Sequence, residues 1–226
     1  MIVPAYNEEA TIIEILERVN RQNIEGVALD VIVSDDGSRD RTVELLEARP
    51  ELFSRLVRSQ RNGGKGAAVT RALQVASGDY VLFQDADLEY DPADYKRLLR
   101  PVVEHSADVV MGSRLTGAEI SRVHYYWHRA GNRWLTWFFN VLNNTTFTDI
   151  YSGYLLYRRS LLACDELKSA GWEQQAELLS IIVRRAKVIY EVPINYHGRT
   201  YGEGKKIRGS DALLVLGMIA RMRLRR

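Results

Sequence analysis

The sequence predicts an α/β fold: one domain with a mostly parallel central sheet and helices on both faces. Three observations predict it. Short apolar runs alternate with stretches whose apolar residues recur at helical spacing, the pattern of strands that cross over through helices. Three of the runs end in polar or acidic residues, at Pro4-Ala5-Tyr6, Asp35-Asp36 and Asp85-Ala86-Asp87. Ligands of such sheets bind beyond the carboxyl ends of the strands. The chain has 226 residues, 46% hydrophobic and 27% charged, which suffices for one large core.

Met1-Ile2-Val3 reads as the end of a buried strand, and Pro4-Ala5-Tyr6-Asn7 as a turn. Glu8-Glu9 open a helix, where acids suit the dipole, and Ile12, Ile13, Leu16 and Val19 follow at helical spacing. Leu29 to Val33 is predicted as the second strand. It runs into Ser34-Asp35-Asp36-Gly37-Ser38 and a helix from Asp40 to Ala48. Arg55 to Arg58 is a short third strand, and Asn62-Gly63-Gly64-Lys65-Gly66 a loop before a helix from Ala67 to Ala76. Tyr80 to Phe83 is a strand that leads straight into Asp85-Ala86-Asp87-Leu88-Glu89. A helix from Pro92 to Glu104 and a strand from Asp108 to Met111 complete the first half.

The formal net charge is only +2, so the whole molecule is no polyanion binder and no nucleic-acid partner is expected. The single cysteine, Cys164, excludes an internal disulfide and a cysteine zinc cluster. Its setting reads as an apolar helix, where it packs. No apolar run reaches the roughly 20 residues of a membrane-spanning helix.

Asp85 and Asp87, two apart at a strand end, suit a hard divalent cation bound through oxygen. Such a cation usually also holds substrate phosphates, which points to a nucleotide-sugar diphosphate. Asp35-Asp36-Gly37-Ser38 taken alone is a turn sequence. Three polar strand ends on one edge instead favour a shared site. The Gly63-Gly64-Lys65-Gly66 loop either cradles phosphate with backbone amides or is a plain Gly-rich turn; the P-loop pattern is absent.

Together, Ile2 to Glu9, Asp35-Asp36-Gly37-Ser38 with Asp40 and Thr42, Asn62 to Gly66 and Asp85-Ala86-Asp87 resemble a family 2 glycosyltransferase of the GT-A fold. The second half narrows the resemblance to the polyprenyl-phosphate hexosyltransferases, dolichyl-phosphate mannose synthases above all. It does so through Met111-Gly112-Ser113-Arg114, Asp149, Ser152-Gly153-Tyr154, Gln175-Ala176-Glu177, Glu191 to Ile194 and Arg199 to Lys206.

The resemblance implies a nucleotide-sugar-binding half over 1–112, an acceptor-binding half over 113–209 and a C-terminal amphipathic or interfacial helix over 210–226. It puts Pro4, Tyr6, Glu8 and Asp36 at the nucleoside, with Lys65 also at the donor. Asp85, Asp87 and Glu89 go to the diphosphate and a Mg2+ or Mn2+ ion. Relatives often carry Gln where this chain has Glu89, which either completes the metal shell or merely faces it. Gln175 and Glu177 match a helix at the sugar. Arg199 and Lys205 match a loop over the phosphates, with Gly204 where many relatives have Ser. Arg114 matches an arginine near the acceptor phosphate, and Arg129 and Arg133 join it there. Arg129 and Arg133 also fit a solvated helix face. Asp87, Arg114, Arg199 and Lys205 are the expected catalytic groups.

The implied reaction is inverting transfer of mannose or glucose, from GDP-mannose or UDP-glucose, to a polyprenyl phosphate. A phosphate acceptor is already ionised, whereas a sugar or protein hydroxyl needs a general base. That second acceptor class is the alternative, with Asp149 or Glu177 as the base. Gln-x-x-Arg-Trp, a pattern of processive relatives, is absent. Trp134 to Leu142 reads either as core or as an interfacial patch, since Trp favours the boundary of apolar and wet regions. Ala212 to Arg221, with a basic tail, reads as an interfacial helix or a packing helix. Peripheral association with the cytoplasmic face of a membrane is the expectation. His197 is expected beside the phosphates or sugar, and His124 and His128 in structural roles.

Overall fold

A computed structural model describes residues 1–117, 126–198 and 211–224. Strands β1 (Ile2–Ala5), β2 (Ile32–Asp35) and β3 (Arg55–Arg58) pair in parallel in that order. Strands β4 (Tyr80–Leu82), β5 (Val109–Ser113), β6 (Leu155–Arg158) and β7 (Ile189–Pro193) form a second group, ordered β4-β6-β5-β7. The groups meet where Ile2 bridges Phe83 and the Gln84 N–H donates to the Ile2 carbonyl at 3.0 Å.

All the strands expected from the first half are present. β2 sits later than its apolar run suggests, because pairing with β1 puts Asp35 opposite Ala5. Neither β7 nor β6 was foreseen, and β6 is the reversed one. It runs antiparallel to both β4 and β5, with Leu82 opposite Leu156 and Met111 opposite Leu155. A reversed strand begins at the edge where its neighbours end. The residues just before β6 are thereby delivered beside the end of β4.

Successive strand residues face opposite sides. Ile2, Ile32, Val81, Val109 and Leu155 enter one buried cluster, while Val3, Val33, Leu82, Val110 and Leu156 enter the other. This two-sided burial is what near-continuous apolar strands require. One cluster is closed by α1 (Ile12–Asn20), α2 (Thr42–Glu47) and α4 (Tyr95–His105), through Ile15, Leu16, Leu46 and Leu98. The other is closed by α3 (Lys65–Val75), α5 (Tyr126–Asn143), α6 (Gln174–Arg185) and α7 (Asp211–Leu224), through Ala72, Phe139, Leu178, Leu179 and Ile219.

Three expectations need correction. The first helix begins at Ile12, not at Glu8. The Glu8 N–H is taken by Thr42 Oγ1 at 2.8 Å and that of Glu9 by Asp40 at 3.1 Å, which hold both residues in the preceding turn. Cys164 starts a short 3-10 turn and is partly exposed, rather than packing in a helix. Trp134 to Leu142 is not core throughout: Phe139 is buried, while Trp134 and Trp137 are each more than half exposed.

Candidate active site

The ends of β1 and β2 are stitched together by side chains. Asn7 N–H donates to Ser38 Oγ, and Asn7 Oδ1 accepts from the Arg39 N–H. The Asp36 N–H continues the ladder to the Ala5 carbonyl at 2.9 Å. Asp35 accepts from the N–H groups of Gly37 and Ser38, an Asx-type turn that sends the chain towards α2. Pro4 lies within β1, and Tyr6 and Glu8, both partly buried, come after it on the same edge.

Asp36 is almost fully buried and its carboxylate is already engaged. It accepts from the N–H groups of Gly63 and Gly64, at 3.0 and 2.7 Å, and pairs with Arg71. The Gly-rich loop therefore does not offer these two amides to phosphate, as one reading of the sequence had it. Its glycines serve close packing. A Cβ on Gly64 or Gly66 would stand 2.7 or 2.6 Å from the Ala170 carbonyl oxygen, and Gly64 has φ +92°. The loop is pinned between Asp36 and the 168–171 segment, which fixes Lys65 as the first residue of α3.

Lys65 Nζ is 2.5 Å from Asp85 Oδ1 and 5.6 Å from the centre of the Trp172 ring. The second Asp85 oxygen faces Gly153, where a Cβ would lie 2.5 Å from it. Asp87 accepts the Glu89 N–H at 3.2 Å across a turn in which Leu88 has φ +62°. The Glu89 carboxylate accepts from Tyr196 Oη at 2.7 Å, and the Glu89 carbonyl accepts the His197 N–H. His197 itself is exposed.

Among the described residues no three His, Cys, Asp or Glu side chains gather into a metal-holding group. The expected set of Asp85, Asp87 and Glu89 is thus not assembled as a trio, since Glu89 is turned to Tyr196. Asp85 and Asp87 still fit Mg2+ or Mn2+, which takes one or two carboxylates and completes its shell with water and substrate phosphates.

A small cleft beside Asp85 is lined by Lys65, Phe83, Gly153, Trp172 and Gln175. Gln175 Nε2 donates to the carbonyls of Ile150 and Ser152, at 3.0 and 2.7 Å, and so holds the segment that precedes β6. Glu177 is fully buried, with its carboxylate on the N–H groups of Lys168 and Ser169. It shapes the 168–172 turn that carries Trp172, and it does not line the cleft. Trp172 and Gln174 were not anticipated. Gln174 ties α6 to α3 through the Gly66 carbonyl and Thr70.

On the side expected to receive the acceptor, Arg114 binds Asp149 with two parallel bonds, at 2.7 and 2.9 Å, and donates to the Tyr151 carbonyl at 2.9 Å. Its guanidinium also lies over the Tyr196 ring at 5.0 Å. Asn132 donates to Asp149 at 2.8 Å. Burial pushes the Asp149 carboxyl up. The charge and hydrogen bonds of Arg114, with Asn132, outweigh it and hold the group below the usual carboxylate range. Arg129 and Arg133 flank Asn132 on α5 and are exposed. Tyr126, Trp127, Trp134, Trp137 and Val141 are exposed on the same helix, and Leu213 and Leu214 on α7. Arg199, Lys205 and His124 lie outside the described residues.

The arrangement first defines a class: an α/β protein with carboxylates at the carboxyl edge of its sheet and a small cleft beside them. The particular family emerges from comparison. Residues 1–165 match Glycosyl transferase family 2, and the chain belongs to that family. It is 30% identical over 203 residues to the low-salt glycan biosynthesis hexosyltransferase of Haloferax volcanii, covering 88% of this chain and 48% of that one. It is 27% identical over 225 residues to the dolichol-phosphate mannosyltransferase of Pyrococcus furiosus, covering 98% and 62%. The chain thus spans about half to three fifths of these relatives' length.

Among solved structures, it resembles glucosyl-3-phosphoglycerate synthase from Mycobacterium tuberculosis in complex with Mn2+, UDP-glucose and phosphoglyceric acid. The TM-score is 0.73 at 22% identity, covering 98% of this chain and 78% of that one. This likeness shows the fold, and the GT-A expectation is met.

Proposed function

We propose that the chain transfers a hexose, mannose or glucose, from GDP-mannose or UDP-glucose to a polyprenyl phosphate, with inversion at the anomeric carbon. The single observation that carries the acceptor is the state of the two carboxylates a hydroxyl acceptor would need. Asp149 is held by Arg114 and Glu177 by two backbone amides. A general base needs a free oxygen within reach of the proton it removes. A phosphate acceptor needs none, because its attacking oxygen arrives ionised. The dolichol-phosphate acceptor named for the Pyrococcus relative supports the same class.

In this reading Asp85 and Asp87 hold Mg2+ or Mn2+, which when bound neutralises charge on the leaving diphosphate. Manganese in the mycobacterial complex supports that choice. Pro4, Tyr6, Glu8 and Asp36 form the nucleoside side. Lys65 brings a fixed positive charge beside the diphosphate, and Trp172 and Gln175 border the sugar. Glu177 acts through the turn it anchors. Arg129 and Arg133 receive the acceptor phosphate, while Arg114 positions the 149–151 segment. Arg199 and Lys205 add positive charge at the phosphates. The exposed aromatic and aliphatic side chains of α5 and α7 rest on the membrane interface, at its cytoplasmic face. Among the described residues no helix is long and apolar enough to cross a membrane.

The test is incubation with GDP-mannose or UDP-glucose, Mn2+ or Mg2+, and a short polyprenyl phosphate. Glycolipid with an inverted anomeric linkage is expected. Transfer to a sugar or protein hydroxyl, with none to the lipid phosphate, overturns the acceptor assignment.

A further inference from the structure

The residue immediately before the carboxylate pair, Gln84, is polar and completely buried. A buried amide with nothing to bond is costly, and this one has partners on both its ends. Its oxygen accepts from Tyr95 Oη at 2.6 Å and from Tyr154 Oη at 2.8 Å. Its nitrogen donates to the Asp85 carbonyl at 2.9 Å and faces the Tyr90 carbonyl at 3.5 Å. The two carbonyls can only accept, so they fix which end of the amide is nitrogen.

Asp85 and Tyr90 are the first residue and the last neighbour of the turn that carries Asp87 and Glu89. One side chain therefore spans the mouth of the turn from beneath. The phenols on its other end belong to rings that wall the same turn. Tyr90 packs on Tyr154 at 4.9 Å and on Tyr196 at 5.1 Å, and Tyr95 packs on Tyr154 at 5.8 Å. Tyr90 Oη also accepts the N–H of Gly153, the glycine against Asp85. Burial pushes the phenols of Tyr90, Tyr95 and Tyr154 well up, so they stay protonated.

We infer that Gln84 is a positioning residue for divalent-cation binding: its amide, keyed by Tyr95 and Tyr154, sets the spacing of the Asp85 and Asp87 carboxylates. Leu or Met fills the volume but bonds nothing. Asn is one methylene too short to span the same partners. The inference rests on Asp85 and Asp87 being the metal ligands.

The experiment measures Mn2+ affinity by calorimetry, for the full chain with saturating UDP or GDP, and nucleotide affinity without metal. Gln84→Met is expected to weaken Mn2+ binding about tenfold or more while metal-free nucleotide affinity stays within about twofold. If Gln84→Met fails to fold, Tyr95→Phe and Tyr154→Phe each remove one bond and keep the ring, with about a two- to fivefold loss expected. Mn2+ affinity unchanged in the folded Met variant, or in both Phe variants, overturns the role of Gln84 alone. A wild-type chain that binds no Mn2+ with either nucleotide overturns the metal reading with it.

Discussion

The proposed donor edge and the proposed acceptor side of this molecule are built in opposite ways. At the donor edge, loops from distant parts of the chain are bound to one another through side chains. Asn7 with Ser38, Glu8 with Thr42 and Asp36 with Gly63 join residues 31, 34 and 27 positions apart. The acceptor side has a buried ion pair, Arg114 with Asp149, and a helix on which Tyr126, Trp127, Trp134 and Trp137 are exposed. A polar ligand of fixed shape needs groups held in place before it arrives. A long apolar ligand needs only a surface and one charged anchor. The contrast between a knit edge and an open face is what the two proposed substrates demand.

Four changes break or sharpen that contrast. The largest effect is expected from Asp87→Ala, which should lower the transfer rate at least about 100-fold, some 3 kcal/mol of barrier, with the melting temperature unchanged. A matching fall in melting temperature would make Asp87 structural instead.

Next comes Asp149→Ala, which leaves the Arg114 guanidinium buried without its partner and should cost about 3–5 kcal/mol of stability in denaturant unfolding. The pH dependence has a definite sign. The folded Asp149 carboxyl lies below its unfolded value. Its contribution is therefore complete above about pH 4, where the unfolded group is ionised, and is lost as pH falls through the folded value. Asp149→Asn should flatten the acid limb of the stability curve.

Third, Gly153→Ala places a methyl carbon 2.5 Å from an Asp85 oxygen and 2.8 Å from the Tyr90 ring. Overpacking of this kind costs about 1–3 kcal/mol. Nucleotide-dependent Mn2+ binding should weaken along with stability; unchanged metal affinity would separate Gly153 from the site.

The smallest effect on stability, within about 0.5 kcal/mol, is expected for Trp134→Ser with Trp137→Ser, since both side chains are largely exposed. Sedimentation with vesicles containing anionic lipid should nevertheless drop. Equal sedimentation of the double variant and wild type would turn the open face into ordinary surface.

Much of the donor edge was legible in the residue order, because strands reveal themselves by apolar runs and the edge by the polar residues at their ends. Asp85 and Asp87 could be placed at a strand end from Val81-Leu82-Phe83 alone. The partners of those groups were not legible. Nothing local to Asp36 announces that its carboxylate holds Gly63 and Gly64, and Gly-rich loops that bind phosphate and those that pack closely share one composition. Likewise Arg114 and Asp149 could each be singled out, yet their pairing across 35 residues depends on β6 running backwards. That strand escaped notice because Leu155-Leu156-Tyr157 is too short to declare direction. Nothing local announces the burial of Gln84 either, since a polar residue beside acids reads as exposed.

The reversal of β6 also bears on how such a protein diversifies. The chain leaves the sheet after β5 and returns to pair with that same strand, Gly112 N–H meeting the Tyr154 carbonyl at 2.8 Å. The described residues between, α5 and its exposed aromatic side chains included, form an excursion with both feet in one place. Such a loop can be exchanged as a cassette without shifting the register of β1, β2 or β4. On the proposed function, descendants of one donor-binding frame would acquire new acceptors by replacing a single contiguous piece of gene.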